Sequence, residues 1–148
     1  MPSWKEFAEQ APEMAVFGKS RFGSGVAYLA TLRADGSPRV HPVTPIIGDE
    51  LFLFMEPTSP KGKDLGRDPR YQLHCAVEDS NGGGGEFYLS GRAALSADPL
   101  ERERAIRAAS YQPQERYILF ILSVETAFMN QYIGGEPTVR RWKAGGTA

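Results

Sequence analysis

Thr58, Ser59, Lys61, Lys63 and Arg67 are the residues best suited to chemistry in this sequence. Ser59 precedes Pro60, a spacing that predicts a helix with Ser59 as N-cap and Pro60 at its first position. A helix start presents free N–H groups and a partial positive charge. Two hydroxyls and a lysine beside it would complete a phosphate site, the hydroxyls giving directed hydrogen bonds and the lysine a point charge. The same residues also fit a plain helix cap with solvated basic side chains. Taken alone, the segment favours that plainer reading.

His41 has two readings, as a group that bonds phosphate or substrate, or as an exposed strand residue with no role. His74 and Cys75 are neighbours on a predicted strand, and are read as a packing residue and a buried, inert thiol. Arg140-Arg141-Trp142-Lys143 is a second candidate. On a strand, Arg140 and Trp142 face one way and Arg141 the other. The run Asn81 to Gly85 holds four consecutive glycines, without the lysine and helix that follow in a phosphate loop. It reads as a flexible hairpin tip. No Ser-His-Asp set, suggestively spaced carboxylate pair or metal motif occurs, so no catalytic residue and no metal ligand is assigned. Any enzymology would rest on a bound cofactor.

The elements that must position these residues are short. Ser3 and Glu6 form a capping box for a first helix, and a second helix runs from Pro12 to near Gly18, followed by a loop from Ser20 to Gly25. Strands are predicted at Val26 to Leu32, Pro38 to Ile47, Leu51 to Met55, Tyr71 to Val77, Glu86 to Leu95, Tyr117 to Glu125, Ala127 to Ile133 and Thr138 to Trp142. Three prolines make Pro38 to Ile47 an edge or bulged strand. Asp68-Pro69 ends the helix that opens at Ser59, and Asp98-Pro99 opens another. Short strands joined by tight turns argue a closed antiparallel barrel or a sandwich.

The 148 residues fit a single domain, 1–148. Seventeen basic and eighteen acidic side chains leave a net charge of −1, which favours neither nucleic acid nor a membrane surface. The longest apolar run, Tyr117 to Val124, is too short to span a bilayer. The N-terminus lacks the apolar core of a secretory signal, and one cysteine permits no intrachain disulfide. A cytoplasmic protein without a structural metal is the expectation.

From Ala30 to Leu73 the sequence resembles the pyridoxamine 5′-phosphate oxidase-like, FMN-binding split-barrel family. The matching pieces are Ala30-Thr31-Leu32, Gly36-Ser37-Pro38, the extended Pro38 to Ile47, Leu51 to Met55, Ser59-Pro60-Lys61, Lys63-Asp64-Leu65 and Asp68-Pro69-Arg70, in order and without gaps. Gly91-Arg92-Ala93 and the helix after Asp98-Pro99 match more loosely. The resemblance implies a mainly β, antiparallel split barrel of six or seven strands with a few short flanking helices. It also implies a homodimer with flavin in a groove between subunits. Ser59 and Lys61 then correspond to the family's phosphate-binding serine and lysine, beside Thr58. Met55 and Glu56 fall where the family lines the flavin, and Val43 and Thr44 where it flanks the isoalloxazine. His41 and Pro60 depart from the oxidase, which has arginines there. The phosphate site is thereby less basic, and Arg39, Arg67 or a partner arginine are candidates to compensate. Arg140 and Trp142 resemble C-terminal residues that the family sets against the flavin of the other subunit. The implied activity is FMN-dependent oxidoreduction of an unidentified small molecule, with the redox step carried by the cofactor. An 8-hydroxy-5-deazaflavin coenzyme on the same fold, and a non-enzymatic flavin or haem module with His41 or His74 as axial ligand, are the alternatives.

Overall fold

The side-chain oxygen of Ser3 accepts the Glu6 amide at 3.1 Å and starts α1 (Trp4–Gln10), and Pro12 opens α2 (Pro12–Phe22). The structure is a computed structural model that describes residues 2–23 and 25–146. Helix α2 runs a turn past Gly18, where the sequence reading ended it. Gly18 is not a terminator. A Cβ there would lie 2.3 Å from the Phe87 ring, so glycine permits close approach of the helix to the sheet. Phe22 continues the contact, 2 % exposed with its ring 5.4 Å from Phe87.

Strands β1 (Ala27–Leu32) and β2 (Pro38–Val43) form a hairpin, and β3 (Ile46–Ile47) and β4 (Leu51–Met55) follow. The predicted single segment Pro38 to Ile47 is broken at Thr44-Pro45. Its first part pairs with β1 and its last two residues with β4, and a proline without an N–H suits the change of partner. Next come α3 (Pro60–Arg67), β5 (Arg70–Cys75), β6 (Glu86–Ser96), α4 (Pro99–Ala108), β7 (Ile118–Leu122), β8 (Thr126–Ile133) and β9 (Glu136–Lys143). The described residues thus hold nine strands, more than the six or seven expected, one of them only two residues long.

Along the sheet the order is β2-β1-β5-β6-β7-β4-β3, with β8 on β6 and β9 on β8, all antiparallel. Strand β6 belongs to both halves. Residues 86–92 pair with β5 and β8, and residues 93–96 with β7. Gly91 sits at the change-over, where a Cβ would meet the Ser123 carbonyl oxygen at 2.1 Å. Two curled sheets sharing one strand make this mainly β chain a split barrel.

Burial explains the continuous apolar run of β4. Leu51, Leu53 and Met55 enter the main core with Phe7, Leu29, Leu73, Phe87 and Leu122. Phe52 and Phe54 point the other way, into a second cluster with Ala105 of α4 and Leu119. A strand buried on both faces does not alternate. The glycine-rich tip is also anchored. Arg21, 9 % exposed, donates to the Ala76 carbonyl at 2.8 Å, and Asp79 accepts the amides of Asn81 and Gly83. No helix among the described residues is long and apolar enough to cross a membrane.

Candidate anion and cofactor site

Helix α3 begins as its sequence dictates. Ser59 has extended backbone angles and its Oγ accepts the Gly62 amide at 3.2 Å. The cap uses an acceptor lone pair, and the hydroxyl proton stays available to an anion. Thr58 is exposed beside it. Lys61 is half-buried, and desolvation pushes its ammonium below the ordinary lysine value. No carboxylate pairs with it among the described residues.

The opposite side of α3 is tied down by a buried carboxylate. Asp64 is 3 % exposed and accepts from Thr31 Oγ1 at 2.8 Å, Arg39 Nε at 2.6 Å and Arg67 at 3.0 Å. Burial alone would raise its pKa. The bonds from Arg39 and Thr31 and the two guanidinium charges outweigh that and hold it below the ordinary carboxylate value. Arg39 and Arg67, candidates to replace the missing arginines, are therefore both engaged with Asp64.

Strand β2 brings His41 and Val43 onto the face that carries Arg39. These three pair with Leu29, Ala27 and Thr31 of β1, all buried. His41 remains exposed because β2 is an edge, with Nδ1 2.9 Å from the Pro42 carbonyl. Val43 is partly buried against the main core, and Thr44 is exposed. Met55 and Glu56 have side chains already occupied. Met55 is 3 % exposed with its sulfur under Gly62. Glu56 takes an ion pair from Arg116, which holds its carboxyl below the usual range.

At the C-terminus, Arg140 and Trp142 do share a face. That face packs on the first two helices. The Trp142 ring lies 5.0 Å from Phe7 and donates to Gln10 at 3.2 Å, and Arg140 pairs with Glu13. The structure thus collects Ser59, Thr58 and Lys61 at α3 and His41, Val43 and Thr44 on and just past β2, and leaves Arg140 and Trp142 at the α1 side of β9.

One arrangement was not read from the sequence. The strand register aligns Pro42, Tyr28, His74, Tyr88, Phe128 and Arg141 in one row across five adjacent strand pairs. His74 stacks on Tyr88 at 5.7 Å, Tyr88 on Phe128 at 4.8 Å, and Arg141 lies 5.1 Å over Phe128. Each member of the row comes from a different strand, so the sequence carries no signal without the register. His74 is half-buried here, and its bond to Cys75 raises its imidazole above the ordinary value. Cys75 is buried, its sulfur accepting the Phe87 amide at 3.3 Å. A cavity of about 670 Å³ adjoins the row at Tyr88, Phe128 and Arg141, and Trp142 also lines it.

A family model described as Pyridoxamine 5′-phosphate oxidase matches residues 19–131. No curated protein matches the chain. Among solved structures, a NimC/NimA family protein from Clostridium acetobutylicum superimposes with a TM-score of 0.69 at 18 % identity, covering 93 % of this chain and 96 % of that one. A haem-binding protein from Mycobacterium smegmatis gives 0.65 at 18 % identity, covering 86 % of this chain. The present chain spans 57 % of that protein's length. A pyridoxamine 5′-phosphate oxidase-like protein from Listeria innocua gives 0.61 at 15 % identity, covering 77 % and 97 %. At such identities the likeness is one of fold.

Proposed function

The chain belongs to the pyridoxamine 5′-phosphate oxidase family, and from that premise we propose that it binds FMN and acts as an oxidoreductase on a small molecule. The observation that carries the reading is Lys61. A half-buried ammonium without a carboxylate partner is destabilised by desolvation, and a phosphate beside it relieves that cost. The Ser59 hydroxyl proton and exposed Thr58 give the same anion directed donors. His41, Val43 and Thr44 offer the adjoining edge of β2 to a planar ring. Flavin, when bound, supplies hydride or electron transfer. The chain's own residues fix the phosphate and keep one side of the ring dry.

A second copy of the chain completes the site in this reading. Tyr28 is 44 % and Val40 65 % exposed on the outer sheet face, the face that carries the row ending at Arg141. Exposed apolar residues grouped on one face mark a partner surface. Haem is the second reading. It is favoured by the haem-binding relative and by the exposed His41, whose Nδ1 lies at a carbonyl, so that Nε2 would be the ligating nitrogen.

Absorption of the purified protein tests the assignment. Flavin bands, or saturable FMN binding followed by quenched flavin fluorescence, are expected. A Soret band would replace the proposal with haem. Colourless protein that ignores FMN but raises the polarisation of a deazaflavin would transfer it to that coenzyme.

A further inference from the structure

Beyond the edge that carries Lys61, α3 and the β1–β2 hairpin flank an open surface cavity of about 480 Å³. Four cations line it, Arg33, Arg39, Lys63 and Arg67, against two carboxylates, Asp35 and Asp64. Both carboxylates already accept hydrogen bonds. Asp64 takes its three donors, and Asp35 accepts the amide and hydroxyl of Ser37 at 3.0 and 2.6 Å. The cavity keeps a surplus of two positive charges.

Its arginines are held in place by bonds that use few of their protons. Arg33 donates to the Pro38 carbonyl at 2.7 Å, Arg67 to the Leu32 carbonyl at 2.9 Å and to Asp64, and Arg39 to Asp64 through Nε alone. Each guanidinium has five N–H donors in a fixed plane, so several remain free for a ligand. Lys63 has no ion-pair partner among the described residues. Anchoring one carboxylate does not require three guanidiniums and a lysine around one cavity. Fixed, forked donors with residual positive charge suit phosphate oxygens.

We propose that this cavity is a second anion site, for a pyrophosphate or other doubly phosphorylated group. Pro60 lines it and directly links Ser59 to Lys61, so the two anion positions adjoin. The inference therefore rests on the proposed cofactor site only for the identity of the ligand's first phosphate. A flavin dinucleotide and a nicotinamide dinucleotide both carry the required pyrophosphate.

Inorganic pyrophosphate is the probe, titrated into the full chain and followed by ¹⁵N–¹H spectra. Saturable shifts at the Ala34, Asp35 and Lys63 amides are expected. The double variant Arg33→Gln/Lys63→Gln spares all three groups bonded to Asp64, and should weaken pyrophosphate binding at least tenfold while leaving FMN binding within twofold. Parallel titrations with FAD and NADPH identify the source, the dinucleotide whose affinity falls in the same variant. Absence of those shifts, or equal loss of FMN and pyrophosphate binding, would overturn the second site. Pyrophosphate shifts without any FMN binding would keep this site and remove the FMN reading instead.

Discussion

Arg39 donates its Nε–H to Asp64 Oδ2 at 2.6 Å, across the interface between an edge strand and α3. With Thr31 and Arg67 on the same carboxylate, this bond fixes where the helix start sits relative to β2. The arrangement that aims Lys61 is thus set by the charge buried beneath it.

Asp64→Asn should destabilise the fold, because it leaves two guanidiniums facing a weaker acceptor. Breaking a fully buried pair costs roughly 3–5 kcal/mol. Arg39 and Arg67 are 26 % and 43 % exposed, so solvent screening reduces the loss to about 2 kcal/mol. Urea unfolding measures it. The pH dependence has a defined sign. The folded-state pKa of Asp64 is depressed, so its contribution is complete above the ordinary carboxylate pKa and is lost as pH falls through the folded value. The wild type should lose more stability than the variant on acidification below about pH 4.

Lys61→Ala should lower FMN affinity by about 10- to 100-fold, the equivalent of roughly 1.5–3 kcal/mol for one charge-assisted contact. Calorimetric titration reads it directly. Unchanged affinity would remove Lys61 from the site. Thermal unfolding of the ligand-free variant should be unaffected or slightly improved, since a desolvated charge is gone.

Tyr28→Glu should shift the protein from dimer to monomer in sedimentation, with an FMN affinity lower than the parent's. Tyr28 is partly exposed and outside the core, so the variant should retain the wild-type far-UV spectrum. A monomer that binds FMN as tightly as the parent would contradict a site completed by a second copy.

Two glycine substitutions should act in opposite directions. Gly91→Ala places a Cβ against the Ser123 carbonyl, and overpacking of this kind typically costs about 1–3 kcal/mol or more. Gly66 lies in α3 with open space around it. Alanine there should add about 0.5–1 kcal/mol by favouring the helix. Denaturation midpoints of the pair separate close packing from backbone freedom.

Much of the fold was legible because its punctuation is local. Ser3, Ser59 and Asp98 cap the helices that their spacing predicts. Asp68-Pro69 stops α3 as expected. What failed were features decided by distant partners. The extra turn of α2 depends on Phe22 meeting Phe87. The division of the Pro38 to Ile47 segment depends on which strands accept its two halves. For the site, the Ser59 cap and the proline after it were legible, and the shared face of Arg140 and Trp142 follows from strand parity. The engagement of Arg39 and Arg67 by Asp64 was not legible, because a carboxylate one helical turn away reads from sequence as a solvated surface residue. The row ending at Arg141 is a property of register alone.

Phe7 of the first helix rests on Trp142 of the last strand, and this contact orders the events of synthesis. The helix is synthesised well before the strand that carries Trp142, so part of the surface it covers is made much later. Until then Trp4 and Phe7, both buried in the finished core, have no permanent shelter. A nascent chain elongating at roughly 5–20 residues per second would keep them accessible to chaperones for several seconds.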